Sequence, residues 1–248
     1  MSDAWLRFLE EVNTIERWHN RRYLESLHYL FERNVLMPGC EVAELGGEGS
    51  FTGLVRRFGS GVNVTSLKEI DLRYLFFPGE DYSRHVPDIS FDLVLCMEVM
   101  EHVRDQDPAS IEEAATFSGN GIEMMLRESF RILRAGGYLF VTTPNVCSLK
   151  NLEQLLDHVH PYFFEPHHRE LSVRDVRKFG EAAGFVTREI VTKNVWNYHG
   201  MSEEKIKHLR NVLAFAGSSQ EDREDDIFAL FQKPADPIVA TGEGRSTN

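Results

Sequence analysis

Glu98, Glu101 and His102 fall at positions i, i+3 and i+4 of the segment VLCMEVMEHV. On a helix that spacing puts two carboxylates and an imidazole on one face. Such a group supplies ligands for Mg²⁺, Mn²⁺ or Zn²⁺. It equally supplies a general base for taking a proton from a hydroxyl. A metal needs a fourth ligand, and the stretch HHRELS at 167–172 offers His167 or His168. A structural role competes with this chemistry. Carboxylates in a helix's first turn are favoured by the macrodipole, and His102 would then pack or cap. His158 and His160 sit in loop-like sequence and are expected to face solvent.

A second candidate is the stretch VAELGGEGSFT, with Glu44 ending a short strand and glycines at 46, 47 and 49. A backbone without Cβ atoms lets a ligand approach closely. In an open α/β sheet that ligand lies at the carboxyl edge, beside a helix N-terminus. The turn does not match GxGxxG, so the dinucleotide phosphate reading is not supported.

The surrounding elements are those that would hold such residues in place. Residues 3–35 carry apolar positions at helical spacing, among them Trp5, Phe8, Tyr23, Leu27 and Leu30, before the Pro38-Gly39 break. EVAEL, VNVTSL, FDLVLCM, YLFVTTP, FVTREIV and DIFALFQ read as strands. FDLVLCM is nearly continuous in apolar residues, as in parallel strands buried on both faces. Helices are expected over 51–58, over 121–134 up to a stop at Gly136-Gly137, and from an N-cap at Ser172 to Gly184. The alternation implies an α/β fold: a doubly wound, mostly parallel Rossmann-like sheet with helices on both faces and an N-terminal helical addition. The expected division is a helical segment over 1–37, serving as a lid or a cover, one domain over 38–232, and a disordered tail over 233–248.

With 27 Lys and Arg against 39 Asp and Glu, the chain carries a net charge of −12. That balance disfavours a general nucleic-acid binder. Arg21-Arg22 and Arg56-Arg57 are the candidate basic patches, and pairs this short usually solvate a surface. Cys40, Cys96 and Cys147 form no CxxC or disulfide framework. No apolar run approaches the roughly 20 residues of a membrane helix, and the N-terminus does not read as a signal peptide. The expected location is the cytoplasm.

VAELGGEGSFT, FDLVLCMEVMEHV and ESFRILRAGGYLFVTTPN occur in this order, and together they resemble the class I S-adenosylmethionine-dependent methyltransferases over about residues 38–192. The resemblance implies that Glu44, Gly46, Gly47 and Gly49 cradle the cofactor, with Met97 and Glu98 lining the same cleft. The sequence departs from the family at three places. The turn is GGxG, one residue tighter than the commoner GxGxG. Only 23 residues separate Leu67 from Phe91, where a helix and a strand are usual. The ribose-binding acid that normally ends the second strand is replaced by Thr65-Ser66, which leaves Asp71 or Glu69 to substitute. The small-RNA 3′-terminal 2′-O-methyltransferases and the ubiquinone-pathway O-methyltransferases resemble this chain in an ExxEH metal motif. In the former a later histidine is followed by an acid three residues on, as His167 is by Glu170.

The leading expectation is therefore O-methylation of a small-molecule or glycan hydroxyl. S-adenosylmethionine would be the donor, with Mg²⁺, Mn²⁺ or Zn²⁺ on Glu98, Glu101, His102 and His167. His102, His167 and Glu101 are the candidate bases or ligands. Pro144-Asn145 is expected to shape the acceptor pocket, and Tyr162, Phe163 and Phe164 are expected either to wall it or to pack in the core. An RNA 3′-terminal 2′-O-methyltransferase and a non-catalytic cofactor-binding partner subunit are the alternatives, and an N-methyltransferase stays open because amines need no metal.

Overall fold

The computed structural model describes residues 20–46, 50–58, 61–67, 91–103, 121–161 and 167–235. Strands β1 (Glu41–Leu45), β2 (Asn63–Ser66), β3 (Phe91–Met97), β4 (Leu133–Pro144), β5 (Val186–Lys193) and β6 (Asp226–Gln232) form one sheet in the order β2-β1-β3-β4-β6-β5. The β1–β2, β1–β3 and β3–β4 pairs are parallel, and β6 runs antiparallel to both β4 and β5. The sheet is thus mostly parallel, as the alternating pattern predicts.

Helices α1 (Asn20–Glu32) and α2 (Ser50–Phe58) cover one face, and α3 (Gly121–Ile132) and α5 (Val173–Ala182) cover the other. Strand β3 lacks alternation because both its faces are buried. Leu93, Leu95 and Met97 pack with Tyr23, Leu27 and Leu30 of α1. Val94 and Cys96 pack with Ile122, Met125 and Leu126 of α3.

Ser172 caps α5 as expected, in a reciprocal capping box with Asp175. Three details differ from the sequence reading. Helix α3 ends at Ile132, and Gly136-Gly137 lies inside β4, where the pairing register with β3 shifts. A Cβ at Gly137 would sit 2.9 Å from Arg134 O and 3.0 Å from Asp92 O, so Gly137 admits a close backbone approach, while Gly136 takes φ +80°; neither stops a helix. Helices α4 (Leu149–Leu156) and α6 (Glu203–Phe215) went unread, although Ser148 and Ser202 cap them. Lys233, assigned to the tail, donates to Phe130 O at 2.8 Å and Leu133 O at 2.7 Å and so belongs to the fold. Among the described residues no helix is long and apolar enough to cross a membrane.

Candidate functional site

Strands β3 and β4 end side by side, with Met97 level with Thr142. The chain then turns sharply: Glu98 takes φ +55°, and only a short 3₁₀ turn, Met100–His102, follows. The α-helix expected to carry Glu98, Glu101 and His102 on one face is not formed. A non-glycine residue in the left-handed region is costly and clusters at functional sites.

The two glutamates part company here. Successive strand residues point to opposite faces. Thr142 Oγ1 donates to Glu98 Oε1 at 2.8 Å, and Thr143 Oγ1 donates to Glu101 Oε2 at 2.9 Å. Phe140 and Phe228 mark the Thr142 face as the α1 side, and Val141 marks the Thr143 face as the α3 side.

On the α3 side, Glu101 is wholly buried, and ligand atoms of Glu101, His102 and His167 lie within 4.8 Å of one another. The Glu101 carbonyl accepts the His168 N–H at 2.8 Å, which pins the 167–170 segment against the turn. The His102 and His167 rings meet edge to face, with centroids 4.8 Å apart. His167 Nδ1 lies 3.2 Å from Glu170 Oε1, and Asn151 Nδ2 donates to Glu170 Oε2 at 2.8 Å. A carboxylate behind a histidine fixes its tautomer and frees the other ring nitrogen for a ligand. His168, His158 and His160 are exposed.

Glu101 Oε1 receives no hydrogen bond among the described residues, and His102 Nε2 is 4.0 Å away. Burial pushes the Glu101 carboxyl well above the carboxylate range, and Glu98 adds to the rise. A buried acceptor oxygen beside two imidazoles is what a divalent cation would satisfy. The three donors fit such an ion, and one oxygen with two nitrogens suits Zn²⁺ or Mn²⁺ better than Mg²⁺. Glu98, the other residue expected in that set, is not among the three.

On the α1 side, Arg22 is only 5% exposed, and its Nη1 lies 3.7 Å from Glu98 Oε1. This overturns the reading of Arg21-Arg22 as a solvated pair, so far as Arg22 is concerned. The signal was present: Arg22, Ser26 and Tyr29 fall at i, i+4 and i+7, and all three are buried. The guanidinium carbon lies 4.9 Å from the Tyr23 ring centroid and 5.5 Å from that of Trp196. Asp226 is fully buried nearby, and neither carboxylate oxygen receives a hydrogen bond among the described residues. Burial first, and then Glu98, push its carboxyl up, while Arg22 pulls it down.

Trp196 is held by Asp225, whose carboxylate accepts the backbone N–H groups of Val195 (2.8 Å), Trp196 (3.1 Å) and Tyr198 (3.0 Å). The following residues Asn197, Tyr198 and His199 all have positive φ, at 52°, 44° and 53°. Burial carries Asp225 up to about 6, against those three hydrogen bonds. Asp225, Asp226 and the two threonines were not singled out from the sequence. Asn145 was, as an acceptor-pocket residue, but its side chain is spent on backbone. It donates to Asp222 O and Glu224 O and accepts from Cys147 N.

The glycine turn begins where β1 meets β3. Leu45 pairs with Cys96, so Gly46, at φ +64°, lies level with Met97. Glu44 is buried, and Gly46 is exposed at the carboxyl edge. Gly46, Met97 and Glu98 therefore converge on one edge, as a cofactor cradle requires. Gly47, Gly49, Glu69, Asp71, Tyr162, Phe163 and Phe164 lie outside the described residues.

A family model described as a methyltransferase domain matches residues 15–190. A probable S-adenosylmethionine-dependent methyltransferase of Mycolicibacterium smegmatis is 28% identical over 217 residues, covering 83% of this chain and 71% of that protein. The ubiquinone biosynthesis O-methyltransferase of Aeromonas salmonicida is 28% identical over 127 residues, 49% of this chain and 46% of its own. The fold is similar to the crystal structure of a SAM-dependent methyltransferase from Archaeoglobus fulgidus, with a TM-score of 0.52 at 17% identity over 87% of this chain and 97% of that one. With the sheet order, the glycine turn and the family match in agreement, the chain belongs to the methyltransferase family and is an S-adenosylmethionine-dependent enzyme.

Proposed function

We propose that the protein methylates a hydroxyl of a small molecule or glycan, with a divalent cation on Glu101, His102 and His167. The observation that carries this reading is the buried Glu101 carboxylate, lacking a hydrogen bond at Oε1, with two imidazole nitrogens within 4.8 Å. The O-methyltransferase named for ubiquinone biosynthesis, similar over about half of each chain, supports oxygen as the acceptor atom.

Methyl transfer is an in-line displacement: the acceptor oxygen bonds to the methyl carbon as the carbon–sulfur pair returns to sulfur. The protein's task is alignment and exclusion of water. A cation at the three ligands would acidify a hydroxyl bound to it. Thr143 orients Glu101, and Glu170, itself held by Asn151, orients His167. His102 has a side chain 43% exposed and marks the open side of the site, where an acceptor would reach the cation. On the other face Thr142 and Arg22 fix Glu98 beside Met97, where Gly46 brings the cofactor.

The test is methyl transfer from labelled S-adenosylmethionine to a panel of vicinal diols, catechols and primary amines. Chelator should abolish transfer to the diols and catechols, and Mn²⁺ or Zn²⁺ should restore it. Chelator-insensitive transfer confined to amines would refute the proposal.

A further inference from the structure

We propose that the cleft between the start of α5 and the 219–223 loop is a second binding site, one that takes the phosphate of a small phosphate ester. The cleft has a volume of about 470 Å³ and is lined by Arg174, Arg177 and Arg223 together with Cys147 and Ser172.

The charge pattern is the first argument. This chain has 12 more acidic than basic residues, so its arginines have many carboxylates to choose from. Arg22, Arg33, Arg127, Arg131, Arg134 and Arg210 all take one. Arg174 and Arg177 take none among the described residues. They lie three apart on α5, on one face of the helix. On their own helix neither pairs with Asp175, which is committed to the capping box, or with Glu181, which accepts from Thr187.

Preorganisation is the second. Arg223 donates from Nε to Ser219 O at 3.1 Å and from Nη1 to Cys147 O at 3.0 Å. Both acceptors are neutral carbonyls, so they aim the guanidinium without cancelling its charge. Glu221 and Asp222 also line the cleft; both are exposed, and neither forms an ion pair with these arginines, so three guanidiniums outnumber two carboxylates. Three guanidinium forks in one cleft match a phosphate, whose three oxygens accept paired N–H donors. A helix dipole is not the basis, since Ser172 already occupies the start of α5.

The site is separate from the cofactor turn. It is connected to the 101–102–167 cluster by the segment from His167 to Ser172, whose ends are five positions apart and so at most about 17 Å, and by the end of β4, where Cys147 follows Thr143. The proposal concerns binding, and it stands or falls apart from the metal reading.

The experiment is calorimetry of the full chain with pyrophosphate, inorganic phosphate and acetate at 150 mM salt, compared with Arg177→Gln, Arg174→Gln/Arg223→Gln, and the control Arg188→Gln on β5. All the arginines changed are at the surface or partly exposed, so circular dichroism should show intact variants. Saturable pyrophosphate binding is expected, weakened at least tenfold in both cleft variants and unchanged in the control. S-adenosylhomocysteine binding should be unchanged throughout. No saturable binding, equal loss in the control, or acetate binding as well as phosphate would overturn the proposal. So would a single-stranded oligoribonucleotide that binds more than tenfold tighter than pyrophosphate with a steep salt dependence, since that describes a backbone-tracking surface.

Discussion

Thr142 and Thr143 are neighbours in β4, yet their hydroxyls hold Glu98 and Glu101 on opposite faces of the sheet, at 2.8 Å and 2.9 Å. Two acids that look like one motif in the sequence therefore serve two sides of the site. Glu98 belongs with Arg22 and the cofactor edge, and Glu101 with His102 and His167.

Replacing each threonine by valine should separate these roles. Thr143→Val removes the hydrogen bond to a wholly buried carboxylate, so metal affinity should fall by roughly 10- to 100-fold while cofactor affinity holds. Thr142→Val should weaken S-adenosylhomocysteine binding and leave metal affinity alone. Paired titrations of both ligands into both variants check this; the same pattern in the two variants would show the glutamates acting together.

Arg22 is a buried cation among the acids of the α1 side. Arg22→Met should cost roughly 3–5 kcal/mol, the range for stripping one partner from a buried pair. Arg22→Lys should rescue little, because a lysine lacks the planar group that lies over Tyr23 and Trp196. Urea denaturation at pH 7 gives both values, and a loss under 0.5 kcal/mol in Arg22→Met would contradict this role.

Gly46 occupies the left-handed region at φ +64°. A β-branched residue there is strained by about 1–3 kcal/mol and places methyl groups at the cofactor edge. Gly46→Val should lower S-adenosylhomocysteine affinity at least tenfold while the variant stays folded. Calorimetry with circular dichroism decides, and unchanged affinity would remove Gly46 from the cradle.

Asp225 makes stability depend on pH. Its folded-state carboxyl is raised to about 6, above its usual value, so the folded state holds the proton more tightly than the unfolded chain. The stabilisation is complete below about pH 4 and is lost as pH rises through about 6, on the order of 2–3 kcal/mol in all. Asp225→Asn cannot titrate. The stability of the native protein relative to this variant should therefore increase as pH is lowered from 7 to 4. Denaturation series at four pH values test it, and a gap that narrows on acidification would reverse the sign argued here.

The sheet was legible in the sequence because β3 and most of β4 are buried on both faces and read as apolar runs. The α1 stripe through Tyr23, Leu27 and Leu30 and the Ser172 cap were legible for similar local reasons. The split between Glu98 and Glu101 was not. It depends on Glu98 adopting φ +55°, which removes the helix that i, i+3, i+4 spacing assumes. Arg22 was read as solvated although its spacing with Ser26 and Tyr29 marks a buried face, and Asp225 was missed because its partners Val195, Trp196 and Tyr198 lie far along the chain. Asn145 misled for the converse reason, since its amide crosslinks the loop before β6.

The most direct test of the account is Mn²⁺ binding, followed by electron paramagnetic resonance and calorimetry on the native protein, Glu101→Gln and His167→Ala, with methyl transfer to a catechol assayed in parallel. One tightly bound ion per chain is expected, showing nitrogen coupling that decreases in His167→Ala, with turnover falling at least 100-fold in both variants. Full turnover by metal-free protein, or Mn²⁺ binding indifferent to both substitutions, would contradict it.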